Sequence, residues 1–234
     1  MSAAPLPHDT PPRDTLPRDT LVVFAKAPIP GQVKTRLARH VGDRAAADLA
    51  AAFLLDTVDR ARASGARVLL AFDPPEEEPW FREHAGSASL SPQPDLDFGA
   101  RVLAALRAAR AEGAGRVVVV GMDSPHVPAE RWSEAFAALE DRDLCLGPSE
   151  DGGYYLLGLR EPRAELFDGI PWGTAGVLDA TRARAAALGL SVTELATDFD
   201  VDEEADLQRL AEVLAARPGE CPRTRAALEA RGLL

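Results

Sequence analysis

Short apolar runs alternate with longer amphipathic stretches along this chain, and this alternation most constrains the fold. The runs LVVFA at 21–25, RVLLAF at 67–72 and RVVVV at 116–120 are almost continuously apolar, which is typical of strands buried on both faces of a sheet. The stretches between them repeat apolar residues with a helical period, as at 43–63 and 98–111. Such an order predicts a mostly parallel sheet with helices on both faces.

The full pattern predicts about six or seven strands, too few for an eight-stranded TIM barrel. Further strands are expected near 89 and at 144–146, 154–159 and 190–195. Further helices are expected at 76–84, 129–139, 174–188, 203–215 and 223–231. The 234 residues suit one α/β domain, expected at 20–234. Residues 1–19 repeat a Pro-Arg-Asp-Thr unit with little to bury, and this composition predicts a disordered tail.

Charge and cysteine content exclude several functional classes. The net charge of −11 argues against a uniformly basic nucleic-acid surface. Cys145 and Cys221 are the only cysteines and lie in no zinc-ligand pattern. No apolar run has the length of a membrane span, and no apolar leader is visible at the N-terminus. We therefore expect no nucleic-acid partner, no membrane association and a cytoplasmic location.

The segment AKAPIPGQVKTRL at 25–37 is the clearest candidate for binding an anion. It contains the only two lysines of the chain, although 26 residues are lysine or arginine. It matches neither the P-loop nor the dinucleotide-binding pattern. The alternative is a surface loop with solvated charges. Because the segment follows a buried strand, its cations and its glycine favour phosphate binding over that alternative. The candidate phosphate-binding residues here are Ala25, Lys26, Gly31, Lys34, Thr35 and Arg36.

Acidic residues follow several other predicted strands. Because the carboxyl ends of parallel strands meet at one edge of a sheet, we expect these acids to lie near the basic segment. Asp123, in GMDSPHVP, directly follows the run at 116–120 and is a candidate ligand for Mg²⁺ or Mn²⁺. The alternative is that Asp123 caps the following helix. His126 is interpreted as a loop histidine rather than a ligand.

Two later motifs complete the candidate site. In GPSEDGGYYLLG, Glu150 or Asp151 is expected to orient an acceptor or act as a base, and Gly152 and Gly153 allow a ligand to approach closely; a hairpin turn is the alternative. In FDVDEEADL, Asp200 and Asp202 are two positions apart. One of them is expected to reach the metal, or they cap the next helix. The candidate metal ligands are Asp123, Asp200 and Asp202.

The ordered set of motifs resembles one known family. AKAPIPGQVKTRL, FLLDTV, LDFGARV, GMDSPHVP, LGPSEDGGYYLLGL, PWGT and DVDEEADL resemble the DUF2064 family, also called radical-SAM-associated transferase 1 or arsenosugar-biosynthesis glycosyltransferases. The resemblance covers about residues 21–214. It implies the three-layer α/β/α glycosyltransferase-A (nucleotide-diphospho-sugar transferase) fold, a mixed sheet of about seven strands, and YYLLGL as a reversed strand. From LDFGARV, Gly99 and Arg101 join the nucleotide-binding set.

The resemblance implies a metal-dependent transferase, and three functions stay open. The first, which is the function that the resemblance predicts, is a glycosyltransferase that uses a nucleotide-diphospho-sugar. The second is a nucleotidyltransferase that couples a nucleoside triphosphate to a phosphorylated small molecule; the single Asp at 122–124, where typical glycosyltransferases carry DxD, and the similarity to phospholactate guanylyltransferases favour it. The third is a non-catalytic nucleotide-binding protein. The implied cofactor is Mg²⁺ or Mn²⁺, the implied partners are a nucleotide and a small-molecule acceptor, and a homodimer is compatible with the sequence.

Overall fold

A computed structural model describes residues 18–234, and the sheet at its centre has the expected mixed architecture. Within the described part of the chain the strands are β1 Arg18–Lys26, β2 Arg67–Asp73, β3 Ser89–Pro92, β4 Ala114–Gly121, β5 Leu144–Pro148, β6 Tyr154–Leu159 and β7 Val192–Glu194. They form one sheet in the order β3-β2-β1-β4-β6-β5-β7, and only β6 runs antiparallel to its neighbours. The predicted seven-stranded mixed sheet and the reversed strand are confirmed.

Helices cover both faces of this sheet. They are α1 Thr35–Val41, α2 Asp43–Ala63, α3 Glu78–His84, α4 Phe98–Ala111, α5 Glu130–Asp141, α6 Val177–Ala187, α7 Glu204–Ala215 and α8 Pro222–Glu229, with 3₁₀ turns at Pro75–Glu77 and Ala164–Phe167. None of the helices from residue 18 onward is both long enough and apolar enough to cross a membrane. The three-layer arrangement is therefore as predicted.

The segment 21–25 of the central strand β1 is continuously apolar because both of its faces are buried. Leu21 and Val23 pack into the core beneath α2, α3 and α5. Val22 and Phe24, which point the other way, pack into the core beneath α4 and α6. Because β1 is parallel to β2 on one side and to β4 on the other, both faces of the segment 21–25 are covered and its side chains are apolar.

The start of β1 and the presence of α1 differ from the sequence expectation. Residues 1–17 of the predicted tail lie outside the described residues, and the strand begins at Arg18 rather than after residue 19. Asp19 belongs to the sheet because its carboxylate accepts hydrogen bonds from Arg116 of β4 at 2.7 and 2.9 Å. The sequence also missed helix α1, which was interpreted as loop. Its apolar face is only Leu37, Ala38 and Val41, too short a pattern to distinguish from the adjoining loop.

A third core cluster joins α1 and α2 to the C-terminal part of the chain. It contains Leu49 and Phe53 of α2 together with residues of α1, α7 and α8. Asp56 of α2 is 1% exposed, and its carboxylate accepts hydrogen bonds from the backbone N–H groups of Arg223 (3.2 Å) and Thr224 (2.7 Å). Asp56 therefore satisfies the first amide groups of α8, which its own N-terminal residue leaves without a side-chain cap.

We expect Asp56→Ala to lower the free energy of unfolding by about 1–3 kcal/mol, because it leaves two buried amide groups of α8 without an acceptor. Equilibrium urea unfolding measures the difference. Asp59→Asn is the matched control, since Asp59 lies on the same helix, is 46% exposed and pairs with arginines, and it should change stability by no more than about 0.5 kcal/mol. Equal effects of the two substitutions would contradict the capping role of Asp56.

Candidate active site

A cavity of about 380 Å³ opens at the carboxyl ends of β1, β2 and β4. Eight of the residues predicted to bind nucleotide, phosphate or metal line this cavity together with seven residues that were not predicted. The predicted ones are Ala25, Lys26, Lys34, Thr35, Arg36, Arg101, Asp123 and Asp202; the others are Phe24, Gln32, Val33, Asp73, Gln93, Phe98 and Met122. The strand-end rule therefore brings the basic segment and Asp123 together.

Lys34 is the centre of the site. Its side chain is only 4% exposed, and its ammonium lies 2.6 Å from Asp123 Oδ1 and 2.9 Å from Asp202 Oδ1. It also donates to the carbonyl oxygen of Val201 at 2.7 Å. Burial opposes the charge of Lys34, but the charges and hydrogen bonds of the two acids outweigh it and raise the pKa of this ammonium above its ordinary value.

Asp202 lies between two cations. Its second carboxylate oxygen is 3.2 Å from the guanidinium of Arg36. Burial alone would raise the pKa of Asp202, but the charge of Lys34, its hydrogen bond and the charge of Arg36 hold that pKa below its usual range. Asp202 does not cap α7, because Glu203 and Asp206 form the capping box there. Its carboxylate is therefore available to the cavity.

Asp200 has different partners from Asp202. It accepts hydrogen bonds from the hydroxyl groups of Ser124 and, at 2.9 Å, Ser149. Burial raises its pKa from 3.8 to about 6, and the charge of Asp123 adds to this effect, while the two serines oppose it. Asp200 thus ties the loop after β4 to the end of β5, and it does not line the cavity.

The acids suit a cation that takes most of its ligands from elsewhere. No three carboxylate, histidine or cysteine side chains between residues 18 and 234 stand close enough to bind a metal by themselves, so the predicted trio of Asp123, Asp200 and Asp202 is not assembled as a closed site. Asp123 and Asp202 are 44% and 33% exposed toward the cavity. In proteins Mg²⁺ is usually bound by one or two carboxylates, and phosphate oxygens and water complete its coordination. The pair Asp123 and Asp202 fits such an ion.

Buried side chains hold the two acid-bearing loops against each other. His126 Nε2 lies 2.8 Å from Asp198 Oδ1, and the imidazole stacks on Phe199 at 4.0 Å between ring centroids. Arg60 of α2 donates to the backbone carbonyl groups of Pro125 and Val127. His126 is therefore a structural link between the Asp123 loop and the segment that carries Asp200 and Asp202, which agrees with its interpretation as a loop histidine.

Gln93 and Arg101 form a polar wall at the far end of the cavity. The Gln93 amide donates to the backbone oxygens of Ala71 (2.8 Å) and Ala25 (3.3 Å), and Arg101 donates to its side-chain oxygen at 3.4 Å. Phe98 lines the same end, 5.9 Å from Phe24 between ring centroids. The sequence reasoning missed Gln93 and Phe98. Applying the strand-end rule to the weak strand β3 would have found Gln93, which directly follows it.

Other predicted site residues lie off the cavity wall. Glu150 is an exposed partner of Arg209, which donates to both of its carboxylate oxygens at 2.6 and 2.8 Å. Asp151 accepts from the backbone N–H of Gly153 at 2.8 Å. Their neighbour Gly152, at φ +87°, packs so tightly that a Cβ would lie 2.1 Å from the Ala175 carbonyl oxygen. The segment 150–153 is therefore a tight turn beside the cavity.

Two further glycines were predicted to bind phosphate, and neither lines the cavity. Gly99 backs onto Trp172, whose indole would lie 2.9 Å from an added Cβ. Gly31 turns the exposed loop before α1 at φ +78°. Trp172 itself is half-buried against Phe98, 5.1 Å between ring centroids. Gly31 therefore allows the turn before α1, and Gly99 allows the close packing of Trp172.

We expect Asp200→Asn to stabilise the metal-free protein near pH 8, by at most about 3 kcal/mol, since two pKa units correspond to that free energy. The folded pKa of Asp200 exceeds its unfolded value, so its ionisation costs stability as the pH rises from about 4 to 6. The gain should disappear below about pH 4. Urea unfolding in EDTA measures it. The folded-state pKa of Asp202 is lowered, so Asp202→Asn should lower the free energy of unfolding at neutral pH. A less stable Asp200→Asn protein at pH 8 would refute this account.

Similar proteins carry transferase names. A phosphoenolpyruvate guanylyltransferase from Sphaerobacter thermophilus is 32% identical over 163 residues, which cover 68% of this chain and 75% of that protein. A crystal structure from Desulfovibrio desulfuricans G20, provisionally described as a nucleotide-diphospho-sugar transferase, superposes with a TM-score of 0.86 at 32% identity and covers 93% of this chain and 97% of its own.

A more distant solved structure shares the fold alone. CMP:2-keto-3-deoxy-manno-octonic acid synthetase complexed with CTP superposes with a TM-score of 0.57 at 13% identity, over 86% of this chain and 99% of that one. The model of a family described as "uncharacterized protein conserved in bacteria (DUF2064)" matches residues 54–174, which include α4, β4 and the Asp123 loop. The chain therefore belongs to the DUF2064 family.

Proposed function

We propose that this protein is a metal-dependent nucleotidyltransferase, which transfers a nucleoside monophosphate from a nucleoside triphosphate to a phosphorylated small molecule and releases pyrophosphate. The carrying observation is the composition of the cavity wall. Lys26, Lys34 and Arg36 supply cations beside the acids Asp123 and Asp202, whereas Glu150 and Asp151, the predicted bases, are bound to other groups outside it. A phosphate acceptor is already an anionic nucleophile and needs no base.

The proposed step balances without a further reactant. An oxygen of the acceptor phosphate attacks the α-phosphorus, an O–P bond forms, and the bond from the α-phosphorus to its bridging oxygen breaks. Pyrophosphate leaves with that electron pair. When bound, Mg²⁺ or Mn²⁺ offsets charge on the reacting phosphates.

In this scheme the residues of the cavity bind the nucleotide and neutralise the charge of its phosphates. Lys26, Lys34 and Arg36 neutralise the triphosphate and the departing pyrophosphate, Arg36 through its planar guanidinium. Asp123 and Asp202 hold the metal. The wall of Phe98, Gln93 and Arg101 at the other end offers an aromatic face and polar groups to the base of the nucleotide. The name of the Sphaerobacter relative, a guanylyltransferase that acts on phosphoenolpyruvate, supports this assignment.

Glycosyl transfer from a nucleotide-diphospho-sugar is the second candidate. The Desulfovibrio structure, which superposes over nearly the whole chain and bears that description, favours it. The same cations and acids would then neutralise the departing nucleoside diphosphate. An acceptor hydroxyl would need activation, and Glu150 and Asp151 would have to leave their present partners to provide it.

Product analysis separates the two candidates. The protein is incubated with Mg²⁺ or Mn²⁺ and either nucleoside triphosphates with phosphoenolpyruvate and other phosphorylated acids, or sugar nucleotides with sugar and alcohol acceptors. Acceptor-dependent pyrophosphate release supports nucleotidyl transfer. Release of a nucleoside diphosphate from a sugar nucleotide, without pyrophosphate from any triphosphate, refutes it. Binding of nucleotides without either product would favour a non-catalytic nucleotide-binding protein.

We expect Asp123→Asn to abolish metal-dependent nucleotide binding and to lower turnover by about 10²–10³-fold, because it removes a charged ligand from the metal position. Thermal stabilisation by nucleotide with and without Mn²⁺ measures binding independently of turnover. Asp59→Asn, a surface change outside the cavity wall, serves as the control. Unchanged metal-dependent stabilisation in the Asp123→Asn protein would refute the site assignment.

We expect Glu150→Gln to keep kcat within a few-fold of the unmodified protein, because Glu150 pairs with Arg209 rather than with a bound acceptor. Initial rates at saturating substrate test this. If Glu150 acted as a base, its loss would lower kcat by about 10²–10⁴-fold. Such a loss would restore the sequence-based role of Glu150 and favour a hydroxyl acceptor.

A further inference from the structure

We propose that, in the nucleotide-free protein, the Lys34 ammonium occupies the cation position between Asp123 and Asp202, and that metal and nucleotide together displace it onto the phosphates. Lys34 thereby acts as a built-in counter-ion that keeps the acids from binding metal before the nucleotide arrives. The inference rests on the function proposed above, since it assigns the metal to these two acids.

The hydrogen bonds of Lys34 are already fully used. An ammonium group has three donors, and three acceptors surround it: Asp123 at 2.6 Å, Asp202 at 2.9 Å and the Val201 carbonyl oxygen at 2.7 Å. Lys34 therefore cannot bind a phosphate oxygen without releasing at least one of them. A side chain expected to bind phosphate is held on the acids instead.

Charge makes the exchange cooperative. A divalent ion that entered between Asp123 and Asp202 would meet the Lys34 ammonium within the same few ångströms, and this side chain is only 4% exposed to screening water. A nucleotide alone would have to remove Lys34 from two carboxylates and leave them unneutralised. When both arrive, the metal neutralises the acids and the phosphates receive Lys34. Each ligand should therefore increase the affinity of the other.

The backbone at Lys34 is consistent with a residue that is held in place. Lys34 has φ 47° and ψ 44° at the residue before α1, a left-handed conformation that is unfavourable for a residue with a Cβ. Among the described non-glycine residues only Cys221 shares a positive φ. In this conformation the Lys34 side chain makes its three contacts with Asp123, Asp202 and the Val201 carbonyl oxygen.

Nucleotide-free metal binding tests the proposal most simply. Mn²⁺ affinity is measured by electron paramagnetic resonance, without nucleotide or acceptor, for the unmodified protein and for Lys34→Met and Lys26→Met. We expect Lys34→Met to bind Mn²⁺ at least tenfold more tightly than the unmodified protein. Lys26→Met, which removes an exposed lysine of the same cavity, should leave this affinity unchanged. Equal Mn²⁺ affinity of the unmodified and Lys34→Met proteins would overturn the proposal.

A second readout needs no substitution and stands if Lys34→Met fails to fold. The chain has two lysines, so acylation of each can be followed separately by mass spectrometry. Without ligands, Lys34 should react much more slowly than Lys26. Saturating Mn²⁺ with a non-hydrolysable triphosphate analogue should displace Lys34, which a change in its acylation rate reports. Excess Mn²⁺ alone should speed Lys34 acylation and leave that of Lys26 unchanged. No effect of excess Mn²⁺ on Lys34 would contradict the exchange.

The outcomes distinguish this inference from the proposed function, because neither measurement includes an acceptor or turnover. Tighter Mn²⁺ binding by Lys34→Met without pyrophosphate release in the product assay would keep the exchange and reject nucleotidyl transfer. Pyrophosphate release with equal Mn²⁺ affinities would keep nucleotidyl transfer and reject the exchange.

Discussion

The ion-pair cluster of the buried Lys34 side chain with the partly exposed Asp123 and Asp202 is the interaction on which the candidate site depends. It joins three segments that are distant in sequence: the loop before α1, the loop after β4 and the segment before α7. Buried ion pairs offset their desolvation cost only incompletely, so they are a weak source of stability. Here the cluster concentrates charge at the one edge of the sheet where parallel strands end, and that charge is what a polyphosphate and its metal require.

Hydrogen bonds hold the loops around the cluster together, whereas the Lys34 side chain can rotate. Arg60 binds two carbonyl groups of the Asp123 loop, His126 binds Asp198, and Asp200 accepts from two serine hydroxyls. These contacts hold the acid-bearing segments by side-chain hydrogen bonds. A lysine has a long and rotatable side chain, so it can leave its acceptors without disturbing this frame. The exchange of cations thus requires movement of the Lys34 side chain.

The sequence predicted most of the fold and about half of the cavity for a physical reason. Continuous apolar runs identify strands buried on both faces, and the strand-end rule then brings Lys34 near Asp123 without any knowledge of contacts. Sequence patterns do not show that Glu150 pairs with Arg209, because Arg209 lies 59 residues further along the chain. They also miss α1 and Gln93, whose local patterns are weak. Contacts between loops depend on three-dimensional packing that local patterns do not encode.

The most direct test of the central claim is a crystal structure of the protein with Mn²⁺ and a triphosphate analogue whose α–β bridge is an imido group, recorded with anomalous scattering from manganese. The account predicts an anomalous peak between the carboxylates of Asp123 and Asp202, with Lys34 moved from both acids onto a phosphate oxygen. A manganese peak elsewhere, or Lys34 still within hydrogen-bond distance of both carboxylates when metal and nucleotide are bound, would contradict it.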